Sequence, residues 1–159
     1  MNLKQIMQQT LEDVRTKLKE EFDKNFERKA FFDKRWNETK LINKRGSLMM
    51  RSGKLRRSIN AKVQGNSVIF TSNMPYAALH NEGGVIKVTQ KMKKFFWAKY
   101  IEAGKKGIQA EQFKALALKK VGDTIAIEQR QFIGEHPMVY RWIRFYLRKN
   151  IKKALDKIT

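Results

Sequence analysis

Two histidines are the only side chains in this sequence whose ordinary titration falls near neutrality, and both sit among turn formers. His80 lies in Tyr76-Ala77-Ala78-Leu79-His80-Asn81-Glu82-Gly83-Gly84, and His136 directly precedes Pro137. A general base has to aim its nitrogen at a substrate proton. His80 and Glu82, two residues apart on a turning backbone, do not face one site. Local hydrogen bonding that holds the Gly83-Gly84 turn is the expected role of His80. The glycine pair lacks the lysine and hydroxyl residue of a phosphate loop, and neither a zinc-ligand spacing nor a nucleophile elbow occurs. With no cysteine in the chain, disulfides and thiolate metal sites are ruled out. The sequence therefore points away from catalysis, and neither a metal nor a cofactor is expected.

What remains is charge. The 159 residues carry a formal net charge of +20, unevenly placed. Residues 1–38 hold nine basic and eight acidic side chains, whereas residues 39–81 hold eight basic ones and no acid. Residues 91–120 hold nine against two, and residues 137–159 seven against one. A solvated small domain needs a net charge of only about 2–8, so the excess favours a polyanion, either nucleic acid or an acidic protein surface. Arg51, Lys54, Arg56 and Arg57 crowd one candidate polyanion-facing stretch. Arg141, Arg144, Arg148 and Lys152 step by three and four, which places them on one helical face and makes a second. The alternative for both is a plain solvated face.

These groups need elements to carry them. Leu3, Met7, Leu11, Val14, Leu18, Phe22 and Phe26 recur at helical intervals and predict a long amphipathic helix over residues 3–29. Glu20-Lys24 and Asp13-Lys17 are spaced to pair along its polar face. Between Ala30 and Gly46 the period fades, and only partial order is expected around Phe31, Phe32 and Trp36. Short helical turns are expected through Leu48–Arg51, stopped by Gly53, and through Lys54–Arg57. Gly65-Asn66 closes a hairpin between Ile59–Gln64 and Ser67–Ser72, opposing Val63 to Val68 and Ala61 to Phe70. Val85–Gln90 and Asp123–Gln131 read as further strands. Residues 91–120 form a helical insertion, and Pro137 opens a C-terminal helix.

The sum is a single α+β domain over residues 1–159, with a small, mainly antiparallel sheet of about four strands flanked by helices. Its first residues contain no uninterrupted apolar core of an export signal, and the densest apolar run is far short of the roughly 20 residues that cross a bilayer. A soluble, unexported chain is expected. The aromatic residues of the insertion, Phe95, Phe96, Trp97 and Tyr100, circle their helix rather than forming a stripe. That suits a subunit contact better than a membrane surface.

Three words stand in order along the chain: Arg51-Ser52-Gly53-Lys54-Leu55-Arg56-Arg57-Ser58-Ile59, then Pro75-Tyr76-Ala77-Ala78-Leu79-His80-Asn81-Glu82-Gly83-Gly84, then Arg130-Gln131-Phe132-Ile133-Gly134. Together they resemble the bacteriophage virion-morphogenesis and tail-completion family. The resemblance implies a structural, non-enzymatic part of a phage particle, completing the tail or joining it to the head, and assembled in the host bacterial cytoplasm. It implies a homo-oligomeric ring and other head and tail proteins as partners; the basic surfaces add a non-specific DNA contact as a further reading. A sequence-independent nucleic-acid-binding protein is the alternative reading. Gly53, Tyr76, His80, Gly83, Gly84 and Gly134 are the turn residues the motifs single out. The insertion is more lysine-rich and aromatic than the family pattern.

Overall fold

The computed structural model describes residues 2–39 and 46–157. Lys40, Lys44 and Arg45, counted among the cations of residues 39–81, lie outside that range. The first helix, α1 (Leu3–Arg28), starts with a reciprocal cap. Asn2 Oδ1 accepts from the Gln5 N–H, and Gln5 Oε1 accepts from the Asn2 N–H, both at 2.9 Å, so two donors that a first turn leaves unpaired are satisfied. It ends because Lys29 turns left-handed at φ 55°. Glu20 and Lys24 do pair. Asp13 instead accepts from Gln9 and Asn150, while Lys17 pairs with Glu21 at 2.8 Å.

The segment expected to be loosely ordered is a tight ribbon over its described part. Strands β1 (Ala30–Phe31) and β2 (Lys34–Arg35) pair antiparallel, with Phe32 at φ 54° in the bend. Aromatic burial holds it: Phe31 and Trp36 are buried, and the Phe22 ring contacts both Phe31 and Phe32. The helical turn expected at Leu48–Arg51 is a tight turn instead, closed from Met50 N–H to Ser47 C=O at 2.9 Å. Lys29 Nζ holds that turn by donating to the Phe26 and Leu48 carbonyls and to Ser47 Oγ. Gly53 then opens α2 (Lys54–Arg57) rather than stopping the turn before it.

Strands β3 (Ile59–Gln64) and β4 (Ser67–Ser72) form the expected hairpin in the expected register, Val63 opposite Val68 and Ala61 opposite Phe70. Next come α3 (Ala77–Glu82), β5 (Gly84–Lys87), α4 (Gln90–Glu102), α5 (Ile108–Leu118), β6 (Thr124–Ile127) and α6 (Pro137–Leu155). The α+β class holds, but the sheet of about four strands does not. There are three separate two-stranded antiparallel sheets, β1-β2, β3-β4 and β5-β6. β6 stops at Ile127 because the backbone of residues 130–133 is taken up by a turn carbonyl and by asparagine and tryptophan side chains, leaving little to extend a ladder.

The core has two lobes. Phe26, Trp36, Leu55, Ile59, Ala77 and Phe132 form one; Val14, Leu18, Phe22, Phe31 and Val139 form the other, with Phe70 and Ile133 touching both. Helix α6 lies along α1, where Asn150 Nδ2 donates to Thr10 Oγ1 at 3.2 Å and to Asp13 Oδ2 at 2.9 Å. Helices α4 and α5 pack chiefly on each other at the end of the β5-β6 ribbon, with Val88, Ala110 and Ala117 inside. No helix among the described residues is long and apolar enough to cross a membrane.

Candidate functional site

The three sequence words, far apart in the chain, meet around Phe132. Its ring is buried against Phe26, centroids 5.2 Å apart, and Phe26 in turn meets Trp36 edge-on at 5.8 Å. The backbone on either side is bonded group by group. His80 C=O accepts from the Arg130 N–H at 2.7 Å, and Trp36 Nε1 donates to Gln131 C=O at 2.7 Å. Asn81 Oδ1 accepts from the N–H groups of Phe132 and Ile133 at 2.9 and 3.0 Å. Asn25 Nδ2 donates to Phe132 C=O at 3.2 Å while its Oδ1 accepts from the Phe32 N–H at 3.0 Å. Arg130 extends to the Asn37 and Glu38 carbonyls and to Glu128.

Sequence reading assigned local hydrogen bonding to His80, but its ring Nδ1 is buried without a partner and only its backbone carbonyl is bonded; the side chains that join the second and third words to the long helix are Asn81 and Asn25, which sequence reading passed over. Asn25 had a signal: it is an amide at an apolar-stripe position, one turn from Phe22 and beside Phe26. A fully buried amide there must be bonded to something. His136 is architectural as well. Its Nδ1 accepts from Met138 N–H at 3.2 Å to cap α6, its Nε2 meets Asp33 at 2.9 Å, and its ring stacks on Phe32 at 4.5 Å.

Turn residues fall as follows. Tyr76 stands before α3 with its ring edge toward His80, 5.9 Å away. Gly83 has φ 73°, and a Cβ there would lie 3.0 Å from Gln129 N; Gly84 has φ 152°, with Leu79 Cδ1 at 3.1 Å. Both adopt conformations that side-chain-bearing residues resist, so Gly83→Ala and Gly84→Ala are each expected to cost about 1 kcal/mol or more. His80→Ala is expected to cost less. Thermal melting of the three variants checks this, and a larger loss for the histidine contradicts it. Gly134 sits between the Phe132 segment and α6.

His80 is half-buried, and burial, assisted by the Arg130 charge, holds its pKa below the ordinary 6.5. The folded state thus carries a neutral ring that the unfolded chain protonates more readily. Stability from this site is complete above about pH 6.5 and is lost progressively as the pH falls below it. The carboxylates Glu20, Glu21 and Asp33 have pKa values held below their ordinary 4.5, 4.5 and 3.8, so their contribution is lost only at lower pH. Melting temperature is expected to decline as the pH falls below about 6.5, and His80→Leu to flatten that limb.

The cations separate into two groups. Arg56 is matched within the chain, donating to Asp23 Oδ1 at 2.6 Å and to Glu27 Oε1 at 2.6 Å, and these carboxylates hold its pKa above the ordinary value. Arg57 donates to Ser52 C=O at 3.0 Å. Arg51, Gly53, Lys54, Tyr76, His80 and Arg130 line a cleft of about 350 Å³, which places parts of all three words on one wall. On α6, Arg141, Arg144, Arg148 and Lys152 are exposed as a single face, joined by Lys149 and Phe145 around a shallow cleft of about 410 Å³.

Two apolar surfaces are uncovered. Of the four aromatic residues in α4, Phe95 and Trp97 are exposed, with Ile101 on the same helix, whereas Phe96 and Tyr100 are half-buried. The other surface lies between α1 and α6, where Leu11, Val14, Leu18, Val68, Phe70 and Ile143 line a groove of about 390 Å³. Ile143, Leu147 and Ile151 continue along α6 from it, 37% to 39% exposed. α1, at 26 residues, runs about 39 Å, whereas a six-residue hairpin covers about 20 Å. The far ends of both helices therefore overhang.

Among the described residues no group of three or more histidine, cysteine or carboxylate side chains is placed to hold a metal ion. Motifs that fix the backbone, with charge and apolar surface left outside, define an α+β structural module. The chain belongs to the phage virion morphogenesis family, whose sequence model matches residues 5–152. Neither a curated protein nor a solved structure matches it.

Proposed function

We propose that this protein is a structural component of the phage virion that completes the tail or joins it to the head, assembled in the host bacterial cytoplasm and acting through protein–protein contacts without a catalytic step. Family membership over nearly the whole chain carries the reading. The uncovered α1–α6 groove and the exposed side of α4 support self-association: two apolar surfaces at different places on one chain suit head-to-tail contacts, the kind that close into a ring. Other head and tail proteins are the remaining partners of such a ring.

Copies carrying +20 each repel one another, and salt screens that repulsion while leaving apolar contacts in place. Light scattering behind a sizing column is expected to show mass rising with protein and with salt concentration. Leu147→Asp with Ile151→Asp, both at exposed positions, is expected to abolish the rise without unfolding the chain. A monomer under every condition contradicts ring formation. A second reading, contact with a polyanion, is favoured by the arginines of α6, none of which pairs with a carboxylate among the described residues.

A further inference from the structure

We infer that the outer face of α6 binds the phosphate backbone of duplex DNA without reading its sequence. The inference rests on the polyanion reading and names the polyanion.

Helix α6 contains six cations and no acid between Pro137 and Leu155. Its inner side is occupied: Val139, Asn150 and Ala154 are buried, with Asn150 bonded to α1. Five of the cations, Arg141, Arg144, Arg148, Lys149 and Lys152, surround the half-exposed Phe145 on the outer side. The neighbouring acids do not neutralise them. Glu135 lies by the Tyr140 hydroxyl and raises its pKa, and Asp156 lies at the helix end; neither makes an ion pair with any of the five. This differs from Arg56, which is equally basic by sequence but held by two carboxylates of α1.

Spacing favours a nucleic acid. From Arg141 to Lys152 the helix rises about 16 Å. Over that length of axis B-DNA carries about ten phosphates, about five on each strand, so the phosphates of both strands that border one groove supply partners for five long cationic side chains. Three of the five are arginines, whose planar forks bond phosphate oxygens in pairs. A folded acidic protein would have to present a comparable line of carboxylates with no cation among them. Phe145 then lies against the sugars between phosphates, a contact that carries no base information.

The test uses the full chain and a fluorescently labelled 25-base-pair duplex of arbitrary sequence, titrated between 50 and 300 mM NaCl. Five phosphate contacts predict a slope of log K against log salt of about −4.5. Changing Arg141, Arg144 and Arg148 to glutamate is expected to bring the slope to about −2 and weaken binding on the order of 10²- to 10³-fold at 0.1 M salt. Changing Lys94, Lys105 and Lys106 to glutamate alters net charge equally on the α4–α5 unit and is expected to leave the slope unchanged. Circular dichroism confirms that both triple variants fold. Duplexes of unrelated sequence should compete equally.

Equal losses from the two triple variants overturn the assignment to α6, since a diffuse field would then suffice. Polyglutamate binding as tightly as the duplex overturns DNA as the ligand but leaves the polyanion reading standing. If neither the duplex nor polyglutamate binds at 50 mM salt, both fail.

Discussion

Phe132→Ala is expected to lower the unfolding free energy by about 3–5 kcal/mol, the usual cost of emptying a large aromatic site in a packed core. Phe132 is 1% exposed and is one of the most deeply buried side chains described. Its ring contacts Phe26 on the long helix, and the backbone segment that carries it is bonded on both sides. That segment cannot easily collapse into the void, because His80, Asn81, Trp36 and Asn25 together hold five of its backbone groups in place. Urea denaturation measures the loss directly. For a chain of this length each 1 kcal/mol shifts the melting temperature by about 2–4 °C, so a drop of about 6–20 °C should accompany it. A change below 1 kcal/mol would mean that the segment is not where the two lobes of the core are joined.

Asn25→Leu is expected to be nearly as damaging for a different reason. It keeps the volume and adds hydrophobicity, yet it leaves Phe132 C=O and Phe32 N–H without their partner, at about 1–3 kcal/mol for each buried group. The total expected loss is about 2–6 kcal/mol. Asn25→Asp sharpens the test. A carboxylate still accepts from Phe32 N–H but cannot donate to Phe132 C=O, and burial favours its protonated form. Its folded pKa should therefore be raised. Stability relative to the unsubstituted protein should be worst at neutral pH and recover as acid restores a donor, with the sign opposite to that of the His80 site.

The elements whose pattern repeats locally were readable from the sequence. The seven apolar positions of α1 and the Gly65-Asn66 hairpin needed only a period and a turn, and both stand as expected. So does the register that faces Val63 and Ala61 toward Val68 and Phe70. The β1-β2 ribbon was hidden because its bend places Phe32, not glycine or asparagine, in the left-handed region. Tertiary aromatic packing outweighs the local penalty there. The four expected strands do form, as β3 to β6, but in two separate pairs, and nothing local shows which strands will pair; nor does anything local reveal that the backbone after Ile127, which reads as strand by composition, gives its hydrogen bonds to Asn81 and Asn25. Charge was legible as a sum but not as a set of free groups. Arg56 and Arg144 look alike in sequence; only the first lies against Asp23 and Glu27.

The motifs fix architecture, and the surfaces outside that architecture are large, apolar in two places and strongly basic in another. This division is what a part built into a larger particle requires. The most direct measurement deletes the coding sequence from the phage that carries it and examines the lysate by electron microscopy, with the protein resupplied from a plasmid as the control. Filled heads and separate tails that fail to join, restored to whole particles by the plasmid copy, are the predicted result. Intact, infectious particles at an undiminished yield in the absence of the protein would contradict a structural role in the virion.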